Sequence, residues 1–191
     1  RAMAESDDTS LRGRLLIAAP TIGDERFERT VIYMCAHSLD SGAMGLIINK
    51  PVKGIDFKDL FGQLEIKDVA IDRLPVHFGG PVETTRGFVL HSSDYRSEEG
   101  TTVTEAISLT ATLDILRDIA AGGGPARHLL ALGYSGWAPG QLENEIKANG
   151  WLVVDADDQI VFGPDMQAKW AQALAKIGVN ASFLSGQAGN A

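Results

Sequence analysis

The stretch Leu129-Leu130-Ala131-Leu132-Gly133-Tyr134-Ser135-Gly136-Trp137-Ala138-Pro139-Gly140-Gln141-Leu142-Glu143-Asn144-Glu145 decides the fold. Its apolar opening reads as a buried strand. A glycine-punctuated corner holding one large aromatic, Trp137, follows, and a short helix is expected from about residue 139 to residue 148. Strand, tight turn and helix in that order is a common seat of chemistry, because the turn exposes backbone donors beside a helix N-terminus.

On either side, strand and helix signals alternate without a linker. Residues 14–19 and 30–36 read as strands, with one helical turn expected between them at 24–29. Ser38-Leu39-Asp40-Ser41-Gly42 is a turn cluster, so 30–36 and a strand at 44–48 form a predicted hairpin. Phe57, Leu60, Phe61 and Leu64 recur at helical spacing behind Asp56, a suitable N-cap. Residues 76–78 and 87–91 read as strands flanking Gly79-Gly80-Pro81. Leu109, Leu113, Leu116 and Ala120 mark a second helix that Gly122-Gly123-Gly124-Pro125 stops. Beyond the central stretch, 151–155 and 160–162 read as strands joined by an acidic turn. Met166, Trp170, Ala173, Leu174 and Ile177 line one face of a last helix that Gly178 ends, and the tail is small and polar apart from Phe183 and Leu184. Hairpins mixed with single helices point to an α+β single domain with a mixed or largely antiparallel sheet. Residues 1–13 are expected to be a disordered or vector-derived start, and 14–191 that one domain.

Composition bounds the function classes. A chain of 191 residues, 45% hydrophobic and 22% charged, can bury a substantial core. The net charge of −8 and a pI near 4.9 repel phosphate backbones and anionic lipid, which disfavours nucleic-acid and membrane binding. Cys35 is the single cysteine, so no intrachain disulfide forms and a reducing compartment fits. It sits in the apolar run 31–36 and behaves there as a small hydrophobe. No apolar segment approaches the roughly 18 residues that cross a bilayer, and no signal-peptide core opens the chain. A cytoplasmic protein is the reading.

Standard catalytic signatures do not fit. Gly133-Tyr134-Ser135-Gly136-Trp137 imitates a G-x-S-x-G elbow, but Trp137 stands where the last glycine must be small. Gly133, Gly136 and Gly140 have the wrong spacing for a dinucleotide turn, and no G-K-[ST] follows a glycine run. His37, His77, His91 and His128 are scattered without zinc spacing, although His77 and His91 on neighbouring predicted strands are placed to pair. Asp155-Ala156-Asp157-Asp158 resembles the start of a calcium loop, but Ile160 replaces the required glycine. No cofactor or metal is expected.

Three features resist a purely structural account, although turn geometry alone can produce each. Asn49-Lys50-Pro51 ends a strand with polar groups and a residue that cannot extend the ladder. Gly79-Gly80-Pro81 is a corner with two bare amides, and Trp137 beside Gly136 and Gln141 offers a stacking surface with a hydrogen-bonding partner. The candidate ligand- or partner-binding residues are therefore Asn49, Lys50, Gly79, Gly80, Tyr134, Trp137, Gln141 and Glu143.

The chain also resembles the YqgE/AlgH family of bacterial proteins from about residue 14 to residue 191. The stretches that carry the resemblance are Ala18-Ala19-Pro20 with Asp24 and Phe27, Gly42-Ala43-Met44-Gly45-Leu46-Ile47-Ile48-Asn49-Lys50-Pro51, and Phe78-Gly79-Gly80-Pro81-Val82. Arg86-Gly87-Phe88-Val89-Leu90-His91 and Leu132-Gly133-Tyr134-Ser135-Gly136-Trp137 with Gly140-Gln141-Leu142-Glu143-Asn144-Glu145-Ile146 complete them. The resemblance implies a bent sheet folded into a pseudo-barrel with helices packed outside. It also brings a transcriptional-regulator label, although no helix-turn-helix or basic arm is present here. Ser135 stands where relatives commonly have alanine, and Gly189-Asn190-Ala191 where they often have Gly-His-Ala.

Three functions follow for testing. The favoured one is a noncatalytic cytoplasmic module that binds a small ligand or a protein partner and acts in regulation. The alternatives are a hydrolase-like enzyme using Ser135 or a histidine, and a direct DNA-binding regulator.

Overall fold

The structure, a computed structural model, describes residues 10–19 and 24–179. The expected disordered start falls mostly on residues 1–9, outside the described residues, as do Phe183, Leu184 and the Gly189-Asn190-Ala191 end. Among the described residues the strands are β1 (Arg14–Ala18), β2 (Val31–Ser38), β3 (Gly42–Ile47), β4 (Val76–Phe78) and β5 (Val82–Ser92). β6 (Thr101–Thr102), β7 (Ile107–Thr110), β8 (His128–Trp137) and β9 (Trp151–Asp155) follow. The helices are α1 (Phe57–Gln63), α2 (Leu113–Ala120), α3 (Gln141–Lys147), α4 (Asp158–Phe162) and α5 (Lys169–Lys176).

The strands form one sheet in the order β6-β7-β5-β8-β3-β2-β1-β9, with β4 joined to β8 in parallel and every other pair antiparallel. β8 is its spine: it carries β5 on one edge and β4, then β3, on the other.

Strand alternation sorts the apolar residues by face. Leu15, Ile17, Tyr33, Leu46, Phe88, Ile107, Leu129 and Val154, drawn from β1 to β9, share one buried cluster, which requires the sheet to be rolled into a half-barrel. The roll brings the two ends close, since a Cβ on Gly13, just before β1, would lie 2.7 Å from Thr104 Cγ2, between β6 and β7. The outward residues form two further clusters. Val76, Val89, Leu130 and Leu132 are covered by α1 and α2, while Leu16, Ile32, Met34 and Ile47 pack with Trp137, Trp151 and Leu142 of α3.

Local chemistry explains the helices. A capping box starts α1: the Asp59 amide donates to Asp56, and the Asp56 amide donates to the Asp59 side chain. In α2, Ile115, Leu116, Ile119 and Ala120 turn inward, and Gly122 at φ 91° ends the run. α4 and α5 fill the interior where β2 and β8 begin, with Ile160, Val161, Ala173 and Leu174 in the inner cluster. There Arg29 lies over the Trp170 ring and Arg127 pairs with Asp158. The opposite end, where β2 and β8 finish, is left open by the described residues.

Several expectations change. Residues 133–137 do not turn a corner; the strand continues to Trp137, because Gly133 at φ 77° makes a bulge rather than a stop. Residues 160–162 are helical, since Asp157 accepts the Ile160 amide and caps α4. The acidic run is thus a helix start, not a hairpin turn. Leu109 belongs to β7 and not to α2, and β6 and β7 escaped the sequence reading altogether. The last helix begins as a 3-10 turn at Met166–Ala168, and Ile177 lies beyond its end. His77 and His91 do not pair, because β8 runs between their strands; His91 faces His128 instead.

Two bases are buried in the interior. His77 donates from Nδ1 to the Leu130 carbonyl (3.0 Å), and burial together with the Lys169 charge pushes its pKa down to about 4. Lys169, at 1% exposure, donates to the Val161 carbonyl (2.7 Å), and burial pushes it down to about 8.

A Cβ at Gly80 would sit 2.1 Å from the Tyr134 carbonyl carbon, whereas one at Gly62 in α1 meets nothing within 4 Å. Gly80→Ala should therefore cost about 3 kcal/mol or more in denaturant melts, and Gly62→Ala should gain about 0.5–1 kcal/mol. The folded pKa of His77 lies below its unfolded value, so the unfolded chain takes up the proton first as the pH falls. Stability should drop between about pH 6.5 and 4, on the order of 3 kcal/mol from His77 alone, and His77→Asn should flatten that slope. Burial also lowers His91 and His128, which contribute with the same sign.

Candidate functional site

The bulge at Gly133 decides what the spine presents. Before it, Leu129 and Ala131 point inward while Leu130 and Leu132 point outward. After it, Tyr134 joins the inner set and Trp137 the outer one, so the alternation has slipped by one residue. Only glycine suits this position: φ is 77°, and an added Cβ would meet the Gly80 carbonyl oxygen at 2.4 Å. β5 answers with its own irregularity. Val82 pairs with Tyr134 and Gly87 with Leu132, so the residues between them bow away from β8.

The slipped register and the bow frame a cleft of about 620 Å³ at the open end of the half-barrel. Its bed is Phe88 and Tyr134, edge to face at 5.7 Å, with Met44 and Cys35 beside them. Arg12, Glu83, Arg86, Thr101 and Thr102 also line the cleft, as does the end of the β2–β3 hairpin with His37, Ser38 and Ser41. Cys35 is fully buried and its thiol is pushed up to about 12, so at neutral pH it is a protonated, unreactive wall.

His37 holds the rim together. Its Nδ1 accepts the Leu11 amide (3.0 Å), so the proton of the neutral ring is on Nε2, which donates to Glu143 (2.7 Å). Burial raises the Glu143 carboxyl, but its own backbone amide and the His37 bond outweigh this and hold it below its ordinary value. The imidazole thereby ties the segment before β1 to α3 through β2.

The other candidates lie away from the cleft. Asn49 caps the sheet, its Oδ1 accepting the Val31 amide and its Nδ2 donating to the Arg29 carbonyl. Lys50 donates to the Arg26 carbonyl, with burial lowering its pKa. Gly79 and Gly80 lie buried against Gly133 and Tyr134, and the Gly79 amide donates to the Leu132 carbonyl. The Trp137 indole packs edge to face on Trp151, and both indoles donate to Glu145 Oε1 at 2.9 and 2.8 Å. Gln141 accepts the Ala138 amide and donates to Glu145 Oε2. Tyr134 and Trp137 border the cleft and Glu143 reaches its rim through His37, whereas Asn49, Lys50, Gly79, Gly80 and Gln141 do not line it. Ser135 is fully buried on the outward side, its hydroxyl donated to the Gly79 carbonyl.

Sequence reasoning missed Arg12, His37, Arg86 and Phe88 as neighbours. The one available signal was Gly133 itself, read as a bulge that turns Tyr134 inward. Among the described residues no group of three or more His, Cys, Asp or Glu side chains is placed to hold a metal, and no helix is long and apolar enough to cross a membrane.

A family model described as AlgH-like matches residues 15–182. A UPF0301 protein of Afipia carboxidovorans is 54% identical, over 98% of this chain and 93% of its own length. A UPF0301 protein of Ruegeria pomeroyi is 55% identical, over 95% and 99%. The solution structure of the AlgH protein from Pseudomonas aeruginosa superposes with a TM-score of 0.77 at 39% identity, covering 93% of this chain and 94% of that one. The crystal structure of protein DIP2367 from Corynebacterium diphtheriae, 22% identical with a TM-score of 0.69 over 85% and 84% of the chains, shares the fold.

The indole–carboxylate arrangement makes Glu145 a testable support of this region. Glu145→Ala orphans two buried indole N–H groups and should cost about 2–4 kcal/mol in urea melts, with Glu145→Gln losing less. An unchanged midpoint would show that the two indoles find other partners.

Proposed function

The chain belongs to the AlgH-like family, and we propose that it is a noncatalytic cytoplasmic module whose open-ended half-barrel binds a small ligand and passes that state on in regulation. One observation carries the reading: a cleft of about 620 Å³, within the range of small-molecule sites, lies at the open barrel end with an aromatic bed and a polar rim. The groups bordering it suit holding better than chemistry. Cys35 is a buried, protonated thiol, and His37 is bonded at both ring nitrogens. Ser135 faces the other way with its hydroxyl engaged. The cytoplasmic setting rests on the single cysteine and the composition. The regulatory role rests on the family resemblance together with a site suited to sensing.

A thermal-shift screen of metabolites, nucleotides and duplex DNA, followed by amide chemical-shift mapping, tests this. A ligand at about a hundred times its Kd should raise Tm by roughly 5–11 °C. Its shifts should centre on residues 35–44, 86–88 and 134–137. Hits that map elsewhere, or a response to DNA alone, would overturn it.

A further inference from the structure

We infer that the cleft selects a small organic anion carrying a flat ring: a carboxylate or phosphate on an aromatic or nucleobase-like body. The inference rests on the small-ligand reading of the same cleft and adds the chemistry of what enters it.

The two guanidinium groups point first to an anion. The whole chain carries −8, yet Arg12 and Arg86 both line the cleft, with Glu83 in the same lining and Glu143 behind His37 at its rim. In a concave site with apolar walls, guanidinium groups attract a carboxylate or phosphate more strongly than they do in open water. Among the described residues neither guanidinium group is held in a close ion pair. Arg12 makes no ion pair among the described residues, and the contact of Arg86 with Glu83 is long, at 3.6 Å, between half-exposed groups. A pair of that kind is weak and yields readily to a carboxylate or phosphate that offers two oxygens to the guanidinium fork.

The flat ring follows from what lies beside the charge. The Arg86 guanidinium is held 5.0 Å over the Phe88 ring, and Phe88 meets Tyr134 edge to face. The cation is thus preorganised on an aromatic bed that continues through Met44 to Cys35. Aromatic side chains and a methionine favour a polarisable planar partner over an aliphatic one. Thr101 and Thr102 also line the cleft, and their hydroxyls suit the oxygens a bound anion would have left to satisfy.

The test uses the full chain with 2-naphthoate and its uncharged analogue 2-naphthamide, followed by calorimetry and amide chemical-shift mapping. Naphthoate should bind at least about tenfold tighter than naphthamide, the scale of one charge-assisted hydrogen bond. Its affinity should fall with added salt while that of naphthamide does not. Arg12→Met and Arg86→Met should each reduce the naphthoate preference without moving Tm, which separates loss of recognition from loss of folding. Equal affinities at the cleft, or a preference that survives both substitutions, would overturn the anion selection and leave the cleft as a ligand site. Shifts centred elsewhere would overturn both readings. Failure of 2-naphthoate to bind at about 1 mM would overturn the aromatic-anion chemistry alone, and the metabolite screen would still test the cleft.

Discussion

The close crossing of two glycine-bearing backbones is the constraint on which the rest of the structure depends. Gly79 and Gly80 run against residues 133–135 of β8 so tightly that a Cβ on either would fall within 2.2 Å of β8 backbone atoms. At this crossing Gly79 donates to Leu132, while its carbonyl accepts the Ile47 amide and the Ser135 hydroxyl. One residue thus ties β4, β8 and β3 together. Gly133 takes the left-handed conformation there and slips the face pattern of β8 by one residue. Everything beyond follows from that slip. Tyr134 turns in beside Phe88, and Trp137 turns out beneath α3.

The slip also separates the polar groups by role. Outside, Glu145 satisfies two indoles and Gln141 holds the start of α3, so that network fixes the helix to the sheet. Inside, α4 and α5 close one end of the half-barrel around the buried Lys169, whose ammonium ties the end of α4 through the Val161 carbonyl. At the other end the inner face reaches the surface between the β2–β3 hairpin and the bowed part of β5. Arginines, hydroxyls and aromatic rings meet there.

Much of this fold was legible in the sequence, and the reasons are local. Asp56 before Phe57, the turn at 38–42 and the glycines after Ala120 each act within a few residues, and each appears as read. The α+β character likewise stands, as do the family and the bent, rolled sheet that the resemblance implied. The errors came where one signal admits two geometries. A glycine after an apolar run can end a strand or bulge it, and Gly133 bulges. An aspartate pair can turn a hairpin or cap a helix, and Asp157 caps α4. The site was harder to see because its parts converge from distant segments. Arg12, His37, Arg86 and Tyr134 become neighbours only once the sheet rolls, and no spacing records that. The glycine pair and the tryptophan stood out because they are unusual residues. The structure uses the glycines for close approach and the indole for packing on Trp151.

The cleft exists only if β8 changes face after Gly133, and proton–proton NOEs on the isotopically labelled chain read that directly. Cross-peaks between the Tyr134 and Phe88 rings, together with cross-peaks between the Trp137 and Trp151 indoles, are the predicted result. Unbroken alternation through Gly133 would instead place Ser135 and Trp137 against Phe88 and send Tyr134 outward. Cross-peaks in that pattern would remove the aromatic bed and the cleft built on it.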